Sequence, residues 1–285
     1  MVIEPKKKEI MHMMRCERLS IPTSAGAEIA LDVYVPAVSK EIDLEVRRPA
    51  IVICPGGGYE FLSEREAEPV ALRFLPEGFN CFVVWYRFAP NRYPRPQQDV
   101  AAAVAWVRAH AEETHTDPNR IAVMGFSAGG HAAGSLGVLW HRAELWQEMG
   151  LKPEDVRPNA MVLSYPVVSG GPFAHRGSFV NLSGTTDESP HTQYSLENWA
   201  TENCPPTFLW HTFVDGCVPV ENTLIMAEKL RSLKVDTEIH VYPYGGHGLS
   251  LCNPQTSNVN CPDQNVSDNA DWPAFAADFL RRVMK

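Results

Sequence analysis

The 285-residue sequence holds no Cys-x-x-Cys pair, no internal repeat and no low-complexity stretch. Its seven cysteines, at positions 16, 54, 81, 204, 217, 252 and 261, are odd in number and lack zinc-ligand spacing. That argues against a disulfide framework and against a structural metal. The opening MVIEPKKKEI puts charges where a secretory signal would hold its apolar core, so a cytoplasmic, reducing location is expected. Basic residues are in deficit: 25 Lys and Arg against 34 Asp and Glu leave a net charge of −9. Such a surface repels phosphate backbones and anionic lipid heads, so neither a nucleic-acid partner nor a membrane surface is expected. The apolar stretch 121–140 carries His131 as its sole titratable side chain, yet is too rich in Gly, Ser and Ala to insert well into a bilayer. What remains is globular: 45% hydrophobic and 21% charged residues, read as one domain over 1–285 with a core.

Short apolar runs alternate with amphipathic stretches. Glu28–Val35 alternates apolar and polar residues, as a half-buried antiparallel strand does. The runs 49–54, 80–86, 120–125, 159–168 and Thr207–Thr212 are nearly continuous in apolar residues, the mark of strands buried on both faces. Asp117-Pro118-Asn119 reads as a turn ahead of one of them. The stretches 99–112, 220–234 and Trp272–Val283 carry apolar residues at helical spacing, and 238–244 reads as a last strand. This rhythm predicts βαβ units and a mainly parallel sheet, an α/β fold. Residues 169–206 break it and read as a cap-like insert; 252–269 read as a surface loop and 1–20 as an N-terminal extension.

The run 120–125 leads into Gly125-Phe126-Ser127-Ala128-Gly129, followed by small residues that start a helix. A Gly-x-Ser-x-Gly between strand and helix forms a strained turn that exposes the serine, and its flanking positions must be small. The Ala128 N–H, first in the helix, points where an oxyanion would develop. Three glycines, 56–58, close an earlier strand, and free backbone N–H groups there suit the same purpose. A serine needs a neutral imidazole to take its proton and a carboxylate to orient that imidazole. Chain order for such an elbow is Ser, then acid, then His. Asp215 follows the Thr207–Thr212 run, and His247 lies in Tyr-Gly-Gly-His-Gly after the last strand. His131 is expected to pack or to line the site wall, His211 to point into sheet or helix packing, His240 to face solvent or a helix, and Cys217 beside the acid to pack.

At these residues the chain resembles an α/β-hydrolase, and more narrowly the BD-FAE-type esterases and carbohydrate deacetylases related to hormone-sensitive lipase and acetylxylan esterase. The resemblance runs from about position 49 to the end and rests on PGGGY, on YRFAP followed by PQQDVAAAVAWVR, on GFSAGGH, on PPTFLWHTFVDGCVPVEN and on GGHG. It implies an α/β-hydrolase fold, a mainly parallel central sheet flanked by helices, with a short insert before the acid-bearing strand. It also implies catalysis by Ser127, Asp215 and His247 without cofactor or metal, and an oxyanion hole of Gly57, Gly58 and Ala128. The family's usual His-Gly-Gly-Gly is Pro-Gly-Gly-Gly here, with Pro55 in place of histidine; the donors are backbone groups and are retained.

The expected activity is that of a serine carboxylesterase on short acyl esters, chiefly acetyl, of small carbohydrates such as acetylated xylo-oligosaccharides. That substrate class comes from the resemblance. Tyr59 and Tyr165 are the expected substrate contacts, from a wider set of aromatics at 85, 86, 173 and 199 on which a sugar ring could stack, with core or cap packing the alternative for each. The partner is then a small ester, and a homo-oligomer stays open. A general short-chain esterase and a peptidase or amidase use the same triad and stay open too. A binding protein without catalysis is disfavoured, because all three triad members are present.

Overall fold

The computed structural model describes residues 13–41, 43–259 and 267–285. Eight strands form one sheet: β1 (Arg15–Pro22), β2 (Glu28–Val35), β3 (Arg48–Cys54), β4 (Asn80–Trp85), β5 (Thr116–Phe126), β6 (Ala160–Ser164), β7 (Thr207–Thr212) and β8 (Thr237–Tyr242). Their spatial order is β1-β2-β4-β3-β5-β6-β7-β8. The β1–β2 and β2–β4 pairs are antiparallel, and every later pair from β3–β4 to β7–β8 is parallel. The helices are α1 (Glu68–Phe74), α2 (Arg95–Ala109), α3 (Ala128–Leu139), α4 (Pro153–Val156), α5 (Arg176–Ser183), α6 (Leu196–Trp199), α7 (Glu221–Ser232) and α8 (Trp272–Val283).

The two-residue side-chain period of a strand splits the core into two layers. On β3, Ala50, Val52 and Cys54 face one layer with residues of α2 and α3, while Ile51 and Ile53 face the other with α1 and α8. Neighbouring β4 repeats the division, Phe82 and Val84 on the first side and Cys81 and Val83 on the second. A strand sandwiched in this way has no polar face, which is why the central strands read as unbroken apolar runs. Each large side chain so buried, such as Phe74 on α1 or Phe279 on α8, stabilises the fold by roughly 1.5–3 kcal/mol.

The elements differ from the sequence expectation at several places. Positions 15–20, taken as part of an extension, are the start of edge strand β1; its alternating charged residues leave little hydrophobic signal. Residues 1–12 lie outside the described set, as do 260–266 of the loop expected over 252–269. Part of what is described of that loop is buried: Cys252 and Thr256 are each 1% exposed. The expected turn at 117–119 lies inside β5, where Thr116 pairs with Arg48 but Ile121 pairs with Ala50. The chain therefore bulges out of the ladder between those pairs. Helix α2 begins at Arg95, four residues before its expected start, with Pro96 in its first turn. The stretch 121–140 is β5 followed by α3, and among the described residues no helix is long and apolar enough to cross a membrane. The 169–206 insert carries α5 and α6.

The carboxyl ends of β3, β5, β7 and β8 lie on one edge of the sheet, and the segment after each bears expected site residues: Gly57 and Gly58, Ser127, Asp215 and His247 in turn.

Candidate active site

At the end of β5 the chain turns sharply into α3, with Ser127 at φ 52° and ψ −120°. The turn closes by close approach: a Cβ at Gly125 would meet the Gly129 carbonyl oxygen at 2.1 Å, and one at Gly129 would meet the Cys54 carbonyl oxygen at 2.2 Å. Only glycine fits at these two positions. Backbone bonds hold the serine from both sides, with Ser127 N donating to Ser164 O at 3.0 Å and Val167 N donating to Ser127 O at 3.0 Å.

Three side chains from three loops meet there. Ser127 Oγ lies 2.7 Å from His247 Nε2, and His247 Nδ1 lies 2.7 Å from Asp215 Oδ2. An ionised carboxylate only accepts, so His247 Nδ1 carries the proton and donates it to Asp215. His247 Nε2 is thereby left as an acceptor for the Ser127 hydroxyl, the tautomer a general base requires. Asp215 Oδ1 accepts from the Cys217 and Val218 N–H groups at 2.9 and 3.0 Å. Burial opposes its charge, but hydrogen bonds from His211 and His247, the His247 charge and the Cys217 N–H outweigh it. The Asp215 carboxyl is held far below the usual carboxylate range.

His211 was expected to pack between sheet and helix, and it does reach α7, with Nδ1 2.8 Å from Thr223 Oγ1. Its Nε2 also lies 3.2 Å from Asp215 Oδ2 and 2.9 Å from Val218 O. The acid is thus clamped by two imidazoles, a role the strand pattern around 211 gave no reason to expect.

The Gly57, Gly58 and Ala128 N–H groups have no protein acceptor among the described residues. The loop bearing the two glycines is held from behind by Glu66, which is 2% exposed. Glu66 Oε2 accepts from Gly56 N at 2.8 Å, and its Oε1 accepts from the Tyr165 hydroxyl at 2.6 Å. The Tyr165 hydroxyl in turn accepts from Ser250 N at 2.9 Å. One buried carboxylate therefore ties the glycine loop to the loop that carries His247. Sequence spacing could not reveal it, since positions 56, 66, 165 and 250 share no local pattern.

Tyr59 and Tyr165, expected as substrate contacts, are turned inward instead, and each is 1% exposed. Tyr165 packs the edge of its ring on His247, with centroids 5.1 Å apart. The Tyr59 hydroxyl lies 2.8 Å from His131 Nδ1. Both support the site from behind, because a phenol that deep needs an internal partner and finds one. Cys217, expected to pack, is exposed; of the two faces open to His240, solvent or a helix, it takes the helix, its ring stacked on Phe275 of α8 at 4.8 Å.

His131 Nε2 lies 2.8 Å from Tyr194 O in the insert, so it donates there and Nδ1 accepts from Tyr59. Burial pushes this imidazole down to about 4, opposed by the bond to the Tyr194 backbone. An unfolded histidine takes its proton near pH 6.5, so the unfolded chain binds more protons between those values. The stability gained by keeping His131 neutral is complete above about pH 6.5 and is lost as pH falls towards 4, up to about 3 kcal/mol. Urea unfolding at pH 7 and 4.5 is expected to show that loss, and a His131→Gln variant, less stable at pH 7, is expected to lose less. Equal losses in the two proteins would place the acid sensitivity elsewhere.

Residues 31–230 match the model of the family described as BD-FAE. The sequence is 35% identical over 219 residues to endo-1,4-beta-xylanase B of Butyrivibrio fibrisolvens, covering 74% of this chain and 34% of that protein. It is 32% identical over 243 residues to the acetylxylan esterase of Xylanibacter ruminicola, covering 81% of this chain and 47% of that one. The chain thus spans about a third of the first relative and just under half of the second. Among solved structures, the acetyl ester-xyloside bifunctional hydrolase of Caldicellulosiruptor lactoaceticus superposes with a TM-score of 0.75 at 33% identity, over 90% of this chain and 89% of that one.

Proposed function

Because the chain belongs to the BD-FAE family and has the α/β-hydrolase fold, we propose that it hydrolyses short-chain carboxylic esters, acetyl esters of small carbohydrates foremost, through Ser127. The observation that carries this reading is the continuous chain from Ser127 Oγ through His247 to Asp215, with both links at 2.7 Å.

His247 Nε2 takes the hydroxyl proton as Ser127 Oγ attacks the ester carbonyl. The negative charge that develops on the carbonyl oxygen is held by the N–H groups of Gly57, Gly58 and Ala128. Donors of this kind are set before the reaction and are each worth about 3–4 kcal/mol of barrier. Asp215 stabilises the imidazolium that forms. His247 then returns its proton to the leaving alcohol, and a water activated by the same nitrogen releases the acid.

Two observations favour a short acyl group. Ser127 is only 7% exposed, and the insert closes on the glycine loop, where Asn181 of α5 donates to the Gly58 carbonyl at 2.9 Å. The carbohydrate part of the proposal is supported by the acetylxylan esterase and the acetyl ester-xyloside hydrolase among the similar proteins.

The test combines p-nitrophenyl acetate, butyrate and octanoate with acetate release from acetylated xylo-oligosaccharides. At least a tenfold fall in kcat/KM from acetate to octanoate is expected, a loss of about 1.4 kcal/mol in transition-state binding, together with acetate release that needs Ser127. A preference for octanoate would remove the short-acyl reading. Aryl ester cleavage without sugar deacetylation would leave a general esterase.

A further inference from the structure

The two glycine donors proposed for the oxyanion belong to peptide units whose far sides are pinned. A trans peptide is planar, so the Gly56 carbonyl and the Gly57 N–H point in opposite directions from one rigid plane, as do the Gly57 carbonyl and the Gly58 N–H. Gly56 O accepts from Ser63 N at 2.9 Å, and Gly57 O accepts from Glu60 N and Phe61 N at 2.9 and 3.1 Å. The direction of each donor is therefore set by bonds made on the opposite side of its plane. Those bonds leave open where the whole turn sits relative to Ser127, and Glu66 settles that. Its Oε2 accepts from Gly56 N at 2.8 Å, and its own N–H donates to Ser63 O at 3.0 Å, so it grips both ends of the turn. Gly56 has no room to shift: a Cβ there would meet Glu66 Oε2 at 2.7 Å, Phe126 O at 2.7 Å and Ser127 Cβ at 3.0 Å. The carboxylate thus seats the turn on the backbone of the nucleophile.

The same short segment reaches the other half of the site. Arg65 Nη1 donates to the carbonyl of Gly248, next to His247, at 3.0 Å, and the Arg65 carbonyl accepts from the Ser250 hydroxyl at 2.6 Å. Glu66 Oε1 reaches Ser250 N through the Tyr165 hydroxyl, in bonds of 2.6 and 2.9 Å. The oxyanion donors and the base are therefore located by one pair of neighbouring residues.

We propose that Glu66 is a positioning residue: its carboxylate holds the Gly57 and Gly58 N–H groups in the place relative to Ser127 that the oxyanion needs. It acts on the transition state through the glycine turn and not by touching the ester. This rests on the esterase reading and deepens it.

Oxyanion donors can be read separately from the triad by changing the atom they hold. p-Nitrophenyl thionoacetate carries sulfur in place of the carbonyl oxygen of p-nitrophenyl acetate, and sulfur is a weak acceptor of hydrogen bonds. A fault in the nucleophile, the base or the folded fraction slows both esters alike, whereas displaced N–H donors slow the oxygen ester more. In Glu66→Ala, kcat on p-nitrophenyl acetate is expected to fall about 100-fold, with KM within about threefold of wild type. The oxygen-to-sulfur ratio of kcat/KM is expected to fall at least about tenfold. Glu66→Gln keeps an oxygen for Gly56 N and offers its NH₂ to the Tyr165 oxygen, so its ratio is expected to stay within about threefold of wild type. Glu66→Leu, which fills the space without an acceptor, takes the place of the alanine variant if that one does not fold. A wild-type ratio in the folded Ala or Leu variant, or an equal fall in the Gln variant, would overturn the proposal. Failure of both apolar variants to fold would overturn it too, leaving Glu66 a residue of the fold alone. Wild-type enzyme that cleaves neither ester, or cleavage that survives Ser127→Ala, would instead remove the esterase reading itself.

Discussion

Ser127→Ala is expected to lower kcat on p-nitrophenyl acetate by about 10⁵-fold, with the protein still folded. The glycine loop keeps its N–H groups, Glu66 still holds Gly56 at 2.8 Å, and the Asp215–His247 pair keeps its 2.7 Å bond. The variant can therefore still bind an ester and stabilise charge on its carbonyl oxygen. What it lacks is a nucleophile already in contact with its base, and a bulk water must be recruited and oriented instead. Triads act as a unit, so loss of the attacking atom costs nearly as much as loss of the whole set, and the residue over water is supplied by binding and the oxyanion donors. Titration of the reactive serine beside the kinetics is the check, because it counts any trace of wild-type enzyme. Retention of more than about 1% of kcat would mean that another group attacks the ester.

Asp215→Asn is expected to cost about 10⁴-fold in kcat, for a reason that can be read from four hydrogen bonds. Asp215 Oδ1 accepts from two backbone N–H groups, and Oδ2 accepts from His247 and His211. All four partners are donors, and an amide supplies one oxygen and one donor group. With its oxygen towards Cys217 and Val218, its NH₂ faces the two imidazoles. His247 must then present an unprotonated Nδ1, and its proton moves to Nε2, the atom that has to accept from Ser127. Turned the other way, the NH₂ meets two backbone donors at about hydrogen-bond distance and the loop is left with unsatisfied groups. The first arrangement removes the base and the second loosens it. A pH profile of kcat on the variant, beside its urea midpoint, distinguishes lost catalysis from lost folding; a decrease smaller than about tenfold would show that His211 or the loop geometry alone suffices to orient His247.

The parts of this molecule that were legible in sequence are those whose cause is local. β2, β7 and α8 lie where alternation, a continuous apolar run and helical spacing put them. Ser127 and His247 stand in glycine-flanked turns after strands, and Asp215 follows a buried strand, so strand order brings the three together without further information. Edge strand β1 escaped because only one of its faces meets the core and its charged residues mask the alternation. Whether Tyr59 and Tyr165 wall the site or back it stayed open for a different reason. An aromatic ring in a glycine-rich loop is equally compatible with a wall of the site and with its backing, and only the partner of the hydroxyl decides. For Tyr59 that partner is His131, and for Tyr165 it is Glu66. Glu66 and His211 depend on contacts between loops distant in sequence or across a strand end, where spacing carries no signal. The second layer of the site is thus a tertiary property, whereas the first is nearly a secondary one.

The torsions of Ser127 have a consequence for the evolution of the molecule. At φ 52° and ψ −120°, a residue with a side chain sits outside the favoured wells, and such a position costs of order 1–3 kcal/mol. Glycine would relax the turn but would carry no hydroxyl. On the proposed mechanism the most stable version of this chain is therefore not the active one, and selection for thermal robustness alone would drift towards a silent protein. The proposed serine chemistry is held against the fold's own preference at this residue, and the margin that permits it is supplied by the rest of the sheet.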